Sequence, residues 1–202
     1  MARYEPHDRF YRKARAQGLP SRAAFKLEEL IARFNLLHAG NRVIDLGCAP
    51  GGWLAILART VGANGQVIGI DLADCKVAAP NVATITADIR DRALPAEVTR
   101  RLGAAADLVT SDAAPKLSGI AERDQARSLE LLEAALHFTC ATLKPHGAAV
   151  MKLFMGSEFN HIAARFKTYF ARVEIVRVKA SRPGSSELYL VARDFLKPDG
   201  RQ

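Results

Sequence analysis

The stretch DLGCAPGGW, Asp45 to Trp53, constrains the fold more than any other part of this chain. It joins a short apolar run, Val43-Ile44, to a longer one, Leu54 to Ala58. An apolar strand, a glycine-rich turn and an apolar helix make the first unit of an α/β sheet. The same alternation continues. Helices are expected over residues 21–34, with Ser21 as N-cap, and over 52–61, 91–102, 122–143 and 158–170. Strands are expected over 42–46, 66–71, 82–87, 107–111 and 148–154. Lys144-Pro145-His146-Gly147 should end the long helix before the fifth strand. Two more strands, 173–178 and 188–192, are linked by KASRPGSSE, which is too short for a crossover helix. The expected architecture is α/β and Rossmann-like: a mostly parallel seven-stranded sheet, an antiparallel last strand and helices on both faces.

A chain of 202 residues suits one domain, expected over 21–196. A basic, partly disordered arm (1–20) precedes it and a short tail (197–202) follows. No run approaches the roughly 20 apolar residues that span a bilayer, and the charge-dense start is no secretory signal. Cys48, Cys75 and Cys140 are far apart with no CxxC pair. That points to neither a disulfide framework nor a zinc site, and fits a reducing cytoplasm. The histidines show no metal spacing, so no metal is expected.

Net charge is +8, and its placement matters. Residues 1–33 carry eight basic and four acidic side chains, net +4; residues 165–182 carry six and one, net +5. If the two segments meet they form one basic face, the footprint of a nucleic-acid binder. A generally basic surface is the alternative. Arg9, Arg12, Lys13, Arg15 and Arg22 are interleaved with Phe10 and Tyr11, while Lys179 and Arg182 lie in the second segment. The two aromatics could stack on exposed bases or anchor the arm.

The turn departs from a dinucleotide fingerprint. Alanine holds the second glycine place of GxGxxG, and Pro50 removes a backbone donor that a phosphate would want. This argues against a nicotinamide-dependent enzyme. Four strands end at or near Asp45, Asp71, Asp88 and Asp112, at the edge where open α/β sheets bind ligands. Such acidic residues suit a ligand with positive charge and no phosphate, such as S-adenosylmethionine. Asp71 could accept the ribose hydroxyls and Asp88 the adenine amino group. Asp88 could equally form a turn with the residues after it.

The motifs DLGCAPGGW, SDAAPKLSG (111–119) and MKLFMG (151–156) resemble the FtsJ/RrmJ family of ribose 2′-O-methyltransferases, from about Tyr11 to Phe195. The resemblance implies an S-adenosylmethionine-dependent methyltransferase fold and a Lys-Asp-Lys-Glu tetrad. SRAAFKL supplies Lys26, SDAAP Asp112, MKLF Lys152 and SSELY Glu187. It also implies that Gly47, Gly51, Gly52 and Trp53, with Asp45, Asp71, Asp88 and Asp112, surround the cofactor. Lys152 is the expected base, or else a cation that stabilises the developing alkoxide. Asp112 would orient it, Lys26 would sit beside it, and Glu187 would hold Lys26. By analogy with the family, the implied substrate is ribosomal RNA of the large subunit, most often at a uridine. Transfer RNA is the alternative, and a non-catalytic RNA-binding module a more distant one. A cytoplasmic monomer is expected.

Overall fold

The computed structural model describes residues 12, 16, 23–75, 77, 79–115, 118–155, 159–181 and 184–196. Seven strands form one sheet: β1 (Arg42–Leu46), β2 (Gln66–Asp71), β3 (Val82–Thr86), β4 (Ala106–Ser111), β5 (Leu143–Phe154), β6 (Phe170–Val176) and β7 (Glu187–Phe195). The helices are α1 (Ala23–Phe34), α2 (Gly52–Val61), α3 (Leu94–Leu102), α4 (Ala121–Thr142) and α5 (Phe159–Lys167). The order across the sheet is β3-β2-β1-β4-β5-β7-β6. All neighbours run parallel except β7, which is antiparallel to both β5 and β6. The expected fold class is the observed one.

Strand side chains alternate between faces, so a sheet covered on both sides needs two cores. The chain builds both. Ile44, Leu46, Met151 and Leu153 pack with α3, α4 and α5 on one face. Val43, Val150, Tyr189 and Val191 pack with α1 and α2 on the other. In α1, Ala24, Leu27, Leu30 and Phe34 are buried and spaced to fall on one helical stripe against this core. The glycine turn after β1 is tight because it must be. Gly47 has φ 74°, and a Cβ there would lie 2.6 Å from the Ala113 Cα, so the turn and the loop after β4 touch.

Boundaries differ from expectation for local reasons. Helix α3 starts at Leu94 rather than 91, with Pro95 in the first turn, where a missing donor costs nothing. Strand β5 begins at Leu143 rather than 148. Leu143 pairs with Ala106 and Ala148 with Leu108, so Lys144–Gly147 bulge out of register and Pro145 meets no ladder partner. His146 takes the left-handed φ of 61° that this bulge requires. Helix α5 stops at Lys167 because Phe170 already pairs with Phe195 in the sheet. Strand β7 runs from Glu187 to Phe195, four residues longer than expected, and so brings Glu187 into the ladder. Ser21, expected as the α1 cap, lies outside the described residues, as does the arm apart from Arg12 and Ala16.

Candidate active site

The carboxyl edge of β1, β2 and β4 collects the acidic residues. Asp45 sits one residue inside β1, fully buried, and accepts from the Thr110 hydroxyl at 2.7 Å through Oδ1; its Oδ2 makes no hydrogen bond. Burial, with Asp112 and Asp71 adding to it, lifts its carboxyl to about 8 despite the Thr110 bond. Asp71 ends β2. Its Oδ2 accepts from the Ala49 amide at 2.9 Å and its Oδ1 from the Ala73 amide at 2.9 Å. The residue expected to receive a ribose therefore also ties the glycine turn to the next loop. Asp88 accepts from the Arg90 backbone and guanidinium, which together hold its carboxyl below the usual range. That is the turn-forming arrangement the sequence also allowed.

Trp53 is buried. Its Nε1 donates to the Ala23 carbonyl at 2.9 Å, joining α2 to α1. Gly52 is buried at the start of α2, and a Cβ on Gly51 (φ 102°) would meet the Val77 side chain at 2.7 Å. The turn is a cradle whose walls leave no room for larger residues. The buried acceptor at Asp45 Oδ2, which makes no hydrogen bond, suits a ligand that brings a donor.

The four tetrad residues, from α1, the β4 end, β5 and β7, come together. Lys26 Nζ donates to both Glu187 oxygens, at 2.6 and 2.8 Å. Lys152 Nζ stands 3.1 Å from Asp112 Oδ1 and donates to the Asp112 carbonyl. Asp112 feels both ammonium groups, yet burial dominates and leaves its carboxyl raised. Burial would also raise Glu187, but the Lys26 contact and the Tyr189 hydroxyl outweigh it, and its carboxyl is lowered.

Three residues escaped the sequence reading. Tyr189 is fully buried, donates to Glu187 Oε1 at 2.8 Å and packs against Trp53 at 6.0 Å between centroids. Burial and then the Asp112 and Glu187 carboxylates push its phenol far above the ordinary range. Phe154 and Arg177 lie at the rim. The available signal was period two: Lys152 and Phe154 face Tyr189 and Glu187 directly across the β5–β7 ladder, so all four share a face.

For the basic surface, Arg9, Lys13, Arg15, Arg22 and Arg182 lie outside the described residues, while Arg12 and Lys179 are exposed. The Lys179 amide donates to Glu29 of α1 at 2.8 Å, which brings the second basic segment against the first. Within that segment Arg165 pairs with Glu133 and Arg172 with Asp194. Among the described residues no group of three or more His, Cys, Asp or Glu could hold a metal.

This sheet, with its single antiparallel strand and a glycine turn facing acidic strand ends, is that of a Rossmann-like S-adenosylmethionine-dependent methyltransferase. The FtsJ-like methyltransferase model matches residues 19–195. Ribosomal RNA large subunit methyltransferase E of Myxococcus xanthus (strain DK1622) is 42% identical over 189 residues, covering 93% of this chain and 89% of that protein. The protein of the same name from Methanocorpusculum labreanum is 42% identical over 189 residues, covering 94% and 91%. A crystal structure from Plasmodium falciparum, described as a ribosomal RNA methyltransferase, superposes with a TM-score of 0.77 at 30% identity, over 87% of this chain and 98% of that one. The chain belongs to the FtsJ-like methyltransferase family.

Proposed function

We propose that this methyltransferase transfers the methyl group of S-adenosylmethionine to a ribose 2′-hydroxyl in RNA, and that the acceptor is a uridine of large-subunit ribosomal RNA. The observation that carries the reading is the pair of contacts Lys26–Glu187 and Lys152–Asp112, built from residues up to 161 positions apart. A ribose hydroxyl is a weak nucleophile. The donor supplies an already activated methyl group, so the protein must align the oxygen and manage its proton. Asp45, Gly47, Gly51, Gly52, Trp53, Asp71, Asp88 and Asp112 would bind the donor. Lys152 would meet the hydroxyl, oriented by Asp112. Lys26, held by Glu187, supplies a second cation toward the negative charge that develops on oxygen. Contacts with the Asp112 carbonyl and carboxylate hold the Lys152 nitrogen in place to meet the hydroxyl.

Residues 21–196 would form the catalytic domain. Arg9, Arg12, Lys13, Arg15, Arg22, Lys179 and Arg182 would contact RNA phosphates, the first five from the 1–33 segment. Names carried by relatives support ribosomal RNA over transfer RNA. No described helix is long and apolar enough to cross a membrane; we place the protein in the cytoplasm as a monomer. The test is methyl transfer from labelled S-adenosylmethionine to isolated large ribosomal subunits and to transfer RNA, with the modified nucleotide mapped. Label in ribosomal RNA as a 2′-O-methyl group supports the reading. Label in transfer RNA alone, or on a base, overturns it.

A further inference from the structure

The rim of the site beside Lys152 is apolar where a phosphate-rich substrate would call for polar groups. Phe154 is 39% exposed and Met155 62% exposed, among the largest exposed apolar side chains of the described residues. Phe154 shares the tetrad's face of the sheet, two residues beyond Lys152 and directly opposite Glu187. The Lys152 ammonium stands 5.7 Å from the centre of the Phe154 ring. Met155 continues the ladder by donating from its amide to the Ser186 carbonyl at 2.8 Å. The Arg177 guanidinium bonds to the Ser185 carbonyl and reaches Met155 Sδ at 3.6 Å. An exposed ring thus lies beside the part-buried Lys152 ammonium.

A nucleotide has the matching pair of groups: a hydroxyl-bearing sugar and a flat base. A ribose hydroxyl within hydrogen-bond reach of Lys152, about 2.6–3.2 Å, carries its base within the span of one ring from that nitrogen. Aromatic partners stack with centroids about 4.5–7 Å apart, which the position of the Phe154 ring allows. A phosphate cannot cover an apolar ring favourably; the face of a base can, with a gain of about 1–3 kcal/mol. We propose that Phe154 is the stacking platform for the base of the acceptor nucleotide. The target nucleotide is therefore held out of its helix, its base on Phe154 and its 2′-hydroxyl at Lys152. The inference rests on the RNA ribose reading above. Phe154 acts on position and takes no part in the chemistry.

The experiment uses the full chain with large ribosomal subunits lacking the modification, and compares Phe154→Ala, Phe154→Leu and Phe154→Trp. Alanine and leucine should lower kcat/KM for RNA by about 5- to 150-fold, mainly through KM, the range of a base–aromatic stack. Tryptophan should restore it to within about threefold of wild type. Calorimetric S-adenosylmethionine affinity should stay unchanged in all three. A second measurement uses an RNA fragment spanning the mapped nucleotide, intact or abasic at that position. Wild type should bind the intact fragment more tightly than Phe154→Ala does, and the two should bind the abasic fragment equally. A leucine variant that behaves like wild type, a lost S-adenosylmethionine affinity, or a wild-type advantage that persists on the abasic fragment each overturns the proposal. Absence of any methylation by the wild-type protein would instead sink the RNA reading itself.

Discussion

Asp45 makes the stability of the ligand-free protein depend on pH in an unusual direction. The side chain is fully buried and its carboxyl is lifted from 3.8 to about 8, first by loss of water and then by Asp112 and Asp71. The folded state thus binds a proton that the unfolded chain has lost throughout the interval between those two values. Stability falls with rising pH wherever the folded state holds more protons. Asp45 should therefore cost nothing below pH 3.8, and increasingly more up to about pH 8, where its cost levels off. Each pH unit inside that window is worth about 1.4 kcal/mol, so passing from pH 5 to pH 8 costs about 4 kcal/mol. Asp45→Asn keeps the shape and can still accept from Thr110, but does not titrate. Urea unfolding of both proteins without ligand, at pH 5 and pH 8, isolates Asp45 from other carboxylates. The variant should gain about 4 kcal/mol on wild type between the two pH values. A difference that stays constant within about 1 kcal/mol would mean that Asp45 is ionised in the folded protein, and the reasoning from burial would fail.

Lys152→Ala should lower single-turnover methylation by about 10²–10⁴-fold with S-adenosylmethionine binding retained, while Lys152→Arg should keep substantial activity if the cation rather than a base is what matters. Asp71→Ala leaves the Ala49 and Ala73 amides without acceptors, so it should weaken cofactor binding in calorimetry and cost about 1–3 kcal/mol of folding stability in urea. Lys26→Met should be worse for stability than the double change Lys26→Met/Glu187→Gln, because the single change strands a carboxylate that is 14% exposed; equal unfolding midpoints would contradict that. Neutralising Arg12, Lys13 and Arg15 together should reduce the slope of log RNA affinity against log salt by up to about 2–3, leaving cofactor affinity untouched.

Much of the fold was legible because its signals are local. Apolar runs of strand length separated by helical stripes gave all seven strands, and the short link 179–187 disclosed the one antiparallel strand. Boundaries failed where the partner strand decides. Nothing near Leu143 in sequence says that Ala106 waits opposite it, and Pro145 argues against a strand unless a bulge is foreseen. The tetrad was readable only through motif resemblance, since no spacing rule links Lys26 to Glu187. The supporting roles of Tyr189 and Asp71 were hidden for another reason. Both depend on contacts made once the strands are in register: a phenol buried against a carboxylate, and a carboxylate already occupied by two backbone amides.

The sheet order carries a consequence for how the enzyme comes into being. Because β7 lies between β5 and β6, β6 has no strand to join until a later segment has been laid down beside β5. The five parallel strands can assemble as the chain emerges, but the sheet closes only when residues 187–195 slot into the gap. That same insertion delivers Glu187 to Lys26 and slides Tyr189 opposite Lys152. Completion of the architecture and arming of the active site are one event. A partly synthesised or C-terminally clipped chain could form the cofactor edge and still be unable to act on an acceptor.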